Sequence, residues 1–288
     1  MLKEKSKKFL NFDNSRLYPF IFTVIFIIVL FQYSFSSLES IFYDLRIKYD
    51  WGISYEDKIV LITMDEESDQ FLGESYPYTY ASHNVLAERL IQDGPASIGY
   101  LIGLLEPDSA REDKALYQFK NTIQDFKKKN GTFRFGTNMD DWDEHLPPSD
   151  LKDLGYSLAL LNVDNSTFAK DDISRRALIN ISGEESFHLW MANQYRQSKN
   201  AEQLDATSIQ GSYYLQEADA TFALFRFFTS PVSKKAKIKR IPFHRVLVGN
   251  FPKEFFTDKI VLVGPSYISN TNDTVLTPFN REDYSSSK

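Results

Sequence analysis

The sequence of 288 residues contains no cysteine, which excludes disulfide bonds, zinc sites with thiolate ligands and thiol catalysis. It has only four histidines, and these lie apart, with no metal-ligand spacing among them. The G-x-S-x-G nucleophile elbow, the phosphate-binding P-loop and the dinucleotide fingerprint are all missing. We therefore predict that the chain is not an enzyme, that it has no cofactor, and that it has no metal site built from cysteine or histidine.

Positive charge is scarce beyond the first sixteen residues. Those sixteen carry five basic and two acidic residues, a net charge of +3, whereas the remainder carries 28 basic and 37 acidic residues, a net charge of −9. Because nucleic-acid binding depends mainly on neutralising phosphates, nucleic acid is not an expected partner. With 42 % hydrophobic residues, including 24 Phe and 16 Tyr, the chain can form a sizeable aromatic core.

One long stretch has no charge at all. Residues 17–35 contain no Asp, Glu, Lys or Arg, and a helix of that length spans about 28 Å, close to the ~30 Å hydrocarbon core of a bilayer. We predict a single transmembrane helix there, with residues 1–16 as a cytoplasmic basic tail and the main domain in the periplasm. A cleaved signal peptide and a buried core helix stay open as alternatives.

Helical and strand-like patterns alternate after this stretch. Residues 36–50 begin with a capping box and continue as an amphipathic, juxtamembrane helix. Residues 51–279 alternate between apolar runs typical of buried strands and amphipathic helices, and residues 280–288 form a polar tail. This alternation predicts an α/β domain of three layers around a mixed, mainly parallel sheet.

Two of the apolar runs resemble each other closely. Residues 58–63 read KIVLIT and residues 259–263 read KIVLV, each run preceded by Asp. We predict that they form neighbouring central strands. The middle of the sequence is less regular, and there we predict that residues 158–163 pair with residues 175–181.

Polar residues follow both of these central strands. They are Asp65, Glu66 and Ser68 after the first strand, and Gly264, Ser266, Asp273 and Thr277 after the second. Asp69 and Thr274 lie close to them in the sequence and belong to the same polar groups. Because ligands bind at the carboxyl ends of strands in open α/β sheets, these residues predict a pocket for a small ligand or a cation. The structural alternative is that Asp and Ser cap the following elements while Gly makes the turn.

Two clusters of like charge have simpler interpretations. The acidic residues at 140–145 lack the Gly and the distal Glu of a calcium loop, which favours a solvated loop. The basic residues at 234–240 alternate with apolar ones. This pattern is typical of an edge strand protected from pairing, although contact with lipid headgroups or an acidic partner stays open.

An ordered set of short motifs resembles the type-two CHASE family, whose members are extracytoplasmic sensory domains associated with bacterial cyclases and histidine kinases. The matching motifs run from about residue 38 to 279. They are Tyr43-Asp44-Leu45-Arg46, residues 58–68 with Leu72-Gly73, Tyr76-Pro77-Tyr78, the helix to Gly94 with the strand at Ile98, Leu154-Gly155-Tyr156, the turn at 171–176, residues 241–249, and residues 259–264 with Asp273 and Thr277-Pro278.

The sequence departs from this family at three points. Tyr80 stands where such domains usually carry Arg, and Leu101 stands where they usually carry Asp. The family usually continues into three membrane helices and a cytoplasmic kinase or cyclase, so we expect either a piece of a longer receptor or a protein without its own output module.

The resemblance implies a sensory function. A ligand or partner would bind the periplasmic domain and change its packing on the juxtamembrane helix. The expected partners are other membrane or envelope proteins, among them a separate output protein or a second copy of this chain, and the lipid bilayer through residues 17–35. The alternative is a non-catalytic scaffold subunit of a bacterial envelope complex.

Overall fold

A computed structural model describes residues 14–32, 36–49, 57–139, 144–159, 173–225, 238–267 and 278–279. Two helices come first, α1 (Asn14–Gln32) and α2 (Ser36–Lys48). The described part of the chain contains no helix whose length and apolar character suffice for crossing a bilayer. The predicted juxtamembrane helix over residues 36–50 corresponds to α2.

The main sheet is built from seven strands. They are β1 (Ile59–Met64), β2 (Ser97–Tyr100), β3 (Thr132–Met139), β4 (Glu144–His145), β5 (Tyr156–Leu158), β10 (Lys239–Pro242) and β11 (Ile260–Pro265). Their order is β10-β1-β11-β2-β3-β4, and β5 also pairs with β3. Among the described strand pairs of this sheet, β3–β4 is antiparallel and the others are parallel. The prediction of a mainly parallel α/β sheet is therefore confirmed, and so is the prediction that the two similar strands, β1 and β11, are neighbours.

Helices cover both faces of this sheet. They are α3 (Glu66–Leu72), α4 (Tyr80–Asp93), α5 (Ala110–Lys128), α6 (Phe187–Ser198) and α7 (Phe243–Leu247). On one face, α4 contacts α5 and α7, while α5 packs on β3 and α7 packs on β1. Their apolar faces cover alternate residues of the parallel strands and form an aromatic core that includes Tyr100, Phe119, Phe133 and Phe135.

The opposite face holds α6, and two glycines allow it to approach. A Cβ at Gly99 of β2 would lie 2.5 Å from the Phe187 ring and 3.2 Å from the Met191 side chain. A Cβ at Gly136 of β3 would lie 3.2 Å from the same Phe187 ring. Because side chains there would separate the layers, the glycines fix the distance between α6 and the sheet. Helix, sheet and helix thus form the three predicted layers.

A second sheet lies beyond α6. It consists of β6 (Arg176–Ile181), β7 (Glu184–Glu185), β8 (Ser212–Leu215) and β9 (Ala220–Leu224), in the order β7-β6-β9-β8 and all antiparallel. The prediction that residues 158–163 pair with residues 175–181 falls mostly on residues 160–163, which lie outside the described residues. Among the described residues, Leu158 of β5 pairs with β3, and β6 pairs with β7 and β9.

Candidate functional site

The carboxyl end of β1 is shaped by one carboxylate. Asp65 caps α3: its Oδ1 accepts hydrogen bonds from the Ser68 backbone N–H at 2.9 Å and from the Ser68 hydroxyl at 2.7 Å. Its Oδ2 accepts a hydrogen bond from the Thr63 hydroxyl at 3.2 Å. Asp65 is therefore the N-cap that the structural alternative expected, and three donors orient its two oxygens.

Ser68 joins this cap to another part of the chain. Its Oγ lies 2.9 Å from Nδ1 of His244, in the first turn of the helix that follows the edge strand β10. Since the Ser68 hydroxyl donates its proton to Asp65, its oxygen accepts from His244, which places a proton on Nδ1 of the imidazole. Nε2 of His244 faces the exposed Glu67 carboxylate at 3.6 Å. Three consecutive polar groups thus connect the ends of β1 and β10.

The order of these groups does not match a hydrolytic triad. In a triad, a histidine lies between a carboxylate and an accessible hydroxyl, whereas here the Ser68 hydroxyl lies between Asp65 and His244. The Ser68 side chain is fully buried, so a substrate cannot reach its oxygen. The arrangement is suited to holding α3 against α7.

A second polar cluster lies one turn further along α3. Oδ1 of Asp69 accepts hydrogen bonds from the Tyr78 hydroxyl at 2.6 Å and from the Tyr267 hydroxyl at 2.7 Å. Burial and the bond to the carboxylate raise the pKa of both phenols, so both remain protonated donors. Tyr267 follows β11, and its bond ties the loop after that strand to α3.

A cleft of about 390 Å³ opens beside these clusters, between residues 74–80 and 104–112. Its walls carry four carboxylates, those of Glu74, Glu106, Asp108 and Glu112. Three of them already accept hydrogen bonds from the protein: Glu74 from Thr79 and Ser82, Glu106 from the Ser149 N–H, and Glu112 from the Tyr80 N–H. Within the described ranges, no three His, Asp or Glu side chains are placed to hold a metal ion.

Helix α2 is held by a buried ion pair. The Arg175 guanidinium, just before β6, donates to both oxygens of Asp44, from Nε at 2.7 Å and from Nη2 at 2.8 Å. The two residues are 2 % and 5 % exposed. A planar guanidinium that grips a carboxylate through two parallel bonds fixes orientation as well as distance. This pair therefore sets how α2 sits on the second sheet.

Further contacts of α2 surround the pair. The Tyr43 hydroxyl donates to the carbonyl oxygen of Phe225, whose own N–H donates to the Arg175 carbonyl at 3.1 Å. One turn beyond Asp44, Ile47 is buried. Asp44 and Tyr43 of α2 thus contact the segment that carries Arg175 and the residue that follows β9.

Comparison with protein families gave one match: the model of the CHASE2 domain matches residues 22–287. The chain belongs to the CHASE2 domain family. CHASE2 domains are extracytoplasmic sensory domains. Neither the comparison with curated proteins nor the comparison with solved structures gave a match.

The structure places five of the seven predicted site residues of this CHASE2 domain at one edge of the sheet. Asp65 and Ser68 are bonded to each other, and Glu66 lies beside them in the first turn of α3. Gly264 pairs with Thr63 in the adjacent strand, and the N–H of Ser266 donates to the Met64 carbonyl at 2.8 Å. Asp273 and Thr277 lie outside the described residues, as do residues 140–143 and 234–237 of the two charged clusters.

Three residues of this edge were missing from the predicted site: Tyr78, His244 and Tyr267. Tyr78 and His244 belong to segments that carry the CHASE2 resemblance, so they had a signal in the sequence. Asp69 and Tyr267 are 198 residues apart, and nothing in the local pattern of either predicts their contact.

The two positions where this CHASE2 domain departs from its family are both packed. Tyr80 is 5 % exposed, and its hydroxyl donates to the Leu105 carbonyl at 2.6 Å. Leu101 packs against two glycines. A Cβ added at Gly264 would lie 3.4 Å from the Leu101 Cβ, and a Cβ added at Gly136 would lie 2.3 Å from the Leu101 Cδ2. Apolar contacts and a backbone hydrogen bond therefore occupy the places of the usual charged groups.

Proposed function

We propose that this CHASE2 domain is a non-catalytic, membrane-anchored periplasmic sensor that passes its state to the membrane through α2. The observation that carries the proposal is the buried, bidentate ion pair between Asp44 of α2 and Arg175 beside the second sheet. A sensor needs an element that two arrangements of the domain hold differently, since a signal can only shift an equilibrium between unequal states. The contact between α2 and the second sheet is the candidate element.

The pair is suited to this task because a partly separated arrangement of the two charges is high in free energy. Separating a buried carboxylate from its guanidinium leaves two charges without compensation, which costs about 3–5 kcal/mol. A small sliding of α2 would lose both hydrogen bonds together, since a bidentate geometry tolerates little misalignment. We therefore infer two discrete positions of α2, one with the pair formed and one with both charges hydrated.

The membrane anchor is part of the proposal and rests on residues 17–35. Within α1, apolar side chains are widely exposed: Tyr18, Phe20, Phe22, Ile25 and Phe26 are between 52 % and 71 % exposed. Contiguous apolar surface of this kind is unfavourable in water and favourable in lipid. The uncharged run continues to residue 35, three residues beyond the described helix. Basic residues before this run favour a cytoplasmic amino terminus.

The ligand contacts at the carboxyl edge of β1 and β11 also remain a proposal. Asp65, Glu66, Gly264 and Ser266 are the predicted residues that are not fully buried there, whereas Ser68 is enclosed. A ligand at this edge would meet the polar network that joins α3 to α7. The proposed partners are other envelope proteins, a separate output protein or a second copy of this chain.

A structural subunit of an envelope complex is the second candidate function. The packing of Tyr80 and Leu101 favours it, because these positions offer no charged group to a ligand. A packed domain would still present a stable surface to its neighbours, and it would keep α2 in one position.

Two measurements on the full chain test these proposals. Protease added to intact spheroplasts should degrade the main domain and leave a short protected fragment that contains residues 1–35. Protection of the whole polypeptide would contradict the topology and with it the periplasmic function. Mass spectrometry of the assembly after mild solubilisation separates the two candidates, because a scaffold should carry partners at fixed stoichiometry, whereas a sensor should exchange them.

A further inference from the structure

A small cavity lies between α6 and the amino-terminal half of β3, away from the polar edge described above. Its volume is about 200 Å³. Its walls come from the end of α5, the start of β3, the turn before β5 and one side of α6. The lining residues include Lys127, Arg134, Leu154, Gly155, Trp190 and Gln194.

Arg134 is the unusual residue of this cavity. Its side chain leaves β3 on the α6 face, and its guanidinium carbon lies 4.3 Å from the centre of the Trp190 ring. Its Nε is buried and has no hydrogen-bond partner among the described residues. Buried polar groups in proteins nearly always have a partner, and an exception of this kind points to a bound water or ion. Stacking on Trp190 holds the plane of the guanidinium in place.

A second cation lies close by. Nζ of Lys127 donates a hydrogen bond to the Leu154 carbonyl at 2.8 Å. Burial, and next the positive charge of Arg134, lower the pKa of Lys127. Burial also lowers the pKa of Arg134. Two like charges are thus held near each other, partly out of water, an arrangement that a bound anion would stabilise.

The nearest carboxylates act only at a distance. Glu184 and Glu185 lie close enough to favour the charged form of Arg134, and Asp153 does the same for Lys127. Asp153 is already paired with Lys120 at 3.1 Å, and Glu185 accepts a hydrogen bond from Asn193 at 2.8 Å. Protein carboxylates therefore moderate the positive potential of the cavity without filling it.

We propose that this cavity binds a small organic monocarboxylate. The edge of the Arg134 guanidinium matches a planar carboxylate, and Lys127 supplies a second positive charge. Trp190 and Leu154 offer apolar contact to a short carbon chain, and the Gln194 amide adds a donor and an acceptor. The neighbouring Glu and Asp residues disfavour a dianion such as phosphate, since each added negative charge meets them as well.

One wall of the cavity, α6, is connected along the chain to the segment that holds α2. Helix α6 follows the β6–β7 hairpin, and β6 begins at Arg176, next to the Arg175 that grips Asp44. The claim that a bound carboxylate is the sensed signal rests on the proposed function. The claim that the cavity binds a carboxylate does not, so binding and the position of α2 are measured separately.

Titration calorimetry of propionate into the full chain in detergent, in a buffer free of carboxylate and phosphate, tests the site. We expect saturable binding of one propionate per chain, accompanied by a change in tryptophan fluorescence. Arg134→Met and Lys127→Met should each weaken this binding by about tenfold or more, because each removes a charge-assisted contact. The matched control is Lys128→Met, which removes the neighbouring exposed lysine and should change the affinity by less than about twofold.

Three results would overturn the proposal: no saturable binding of propionate, equal affinity in the variants and the control, or tighter binding of inorganic phosphate than of propionate. Thermal unfolding of each variant shows whether it is folded, and Arg134→Met should keep most of its melting temperature because the buried Nε that it removes has no hydrogen-bond partner to leave unpaired. Binding without any effect on the position of α2 would contradict the sensory role alone and leave the site in place.

Discussion

Replacing Asp44 by Asn tests the ion pair that couples α2 to the second sheet. The amide keeps the shape of the side chain but removes the charge that compensates Arg175, which is 2 % exposed. Breaking one side of a buried pair costs about 3–5 kcal/mol, most of it from the remaining buried charge. For a domain of this size, each kcal/mol lowers the melting temperature by about 2–4 °C, so we expect a decrease of about 6–20 °C.

The assay is thermal unfolding of the full chain in detergent, followed by circular dichroism. The matched control is Asp258→Asn, which removes one side of the exposed ion pair between Asp258 and Lys199. Exposed pairs contribute about 0–1 kcal/mol, and Asn tolerates the left-handed conformation of this position, where φ is 61°. The control should therefore shift the melting temperature by no more than a few degrees.

A double variant separates the cost of an uncompensated buried charge from the loss of the ion pair itself. Asp44→Leu combined with Arg175→Met removes both charges, so no uncompensated charge stays buried. We expect this double variant to be more stable than Asp44→Asn. If Asp44→Asn and the control had the same melting temperature, or if the double variant were the least stable of the three, the pair would not hold α2 in the way described.

Three further predictions concern the core and the polar edge. Burial lowers the pKa of His83 to about 3. Below about pH 6.5 the unfolded chain therefore binds a proton at this residue and the native state does not, so the free energy of unfolding falls as the pH drops toward 3. His83→Phe should flatten the dependence of the unfolding free energy on pH in that window, and an unchanged slope would contradict the assignment. Gly99→Ala should lower the free energy of unfolding by about 1–3 kcal/mol, because its Cβ would lie 2.5 Å from the Phe187 ring of α6. The control Gly103→Ala should change it little, because the nearest atom to its Cβ is 3.7 Å away. Equal effects of the two variants in denaturant titrations would argue against the close approach of α6. Tyr267→Phe should cost about 1 kcal/mol through the lost bond to a carboxylate on α3, measured against the wild-type chain by the same titrations, and a variant as stable as wild type would refute that contribution.

Much of the main sheet was predictable because its signals are local. The near-identical strands β1 and β11 alternate between buried and partly buried residues, and they were correctly predicted as neighbours. Helix α5 follows the apolar period of its sequence, because the residues that repeat every three or four positions, Leu116, Phe119, Ile123 and Phe126, are buried. In each case, the pattern of apolar residues within one element carried the information.

The second sheet and the polar contacts depend on distant residues. The partners of β6 among the described residues lie in β7 and β9, and β9 is about 40 residues away along the chain. Asp44 and Arg175 are 131 residues apart, and Ser68 and His244 are 176 residues apart. Such pairs are assembled by the fold, so local spacing cannot predict them, although Asp44 and the turn before β6 both belonged to motifs of the resemblance.

The coupling of α2 to the sensory domain is tested most directly by a distance between two spin labels. The chain has no cysteine, so cysteines introduced at Phe42 on α2 and Tyr214 on β8 are labelled specifically, and both side chains are more than half exposed. In the full chain reconstituted into lipid vesicles, we expect one narrow distance distribution, which Asp44→Asn should broaden or shift. A distribution that Asp44→Asn leaves unchanged would contradict the claim that this ion pair positions α2.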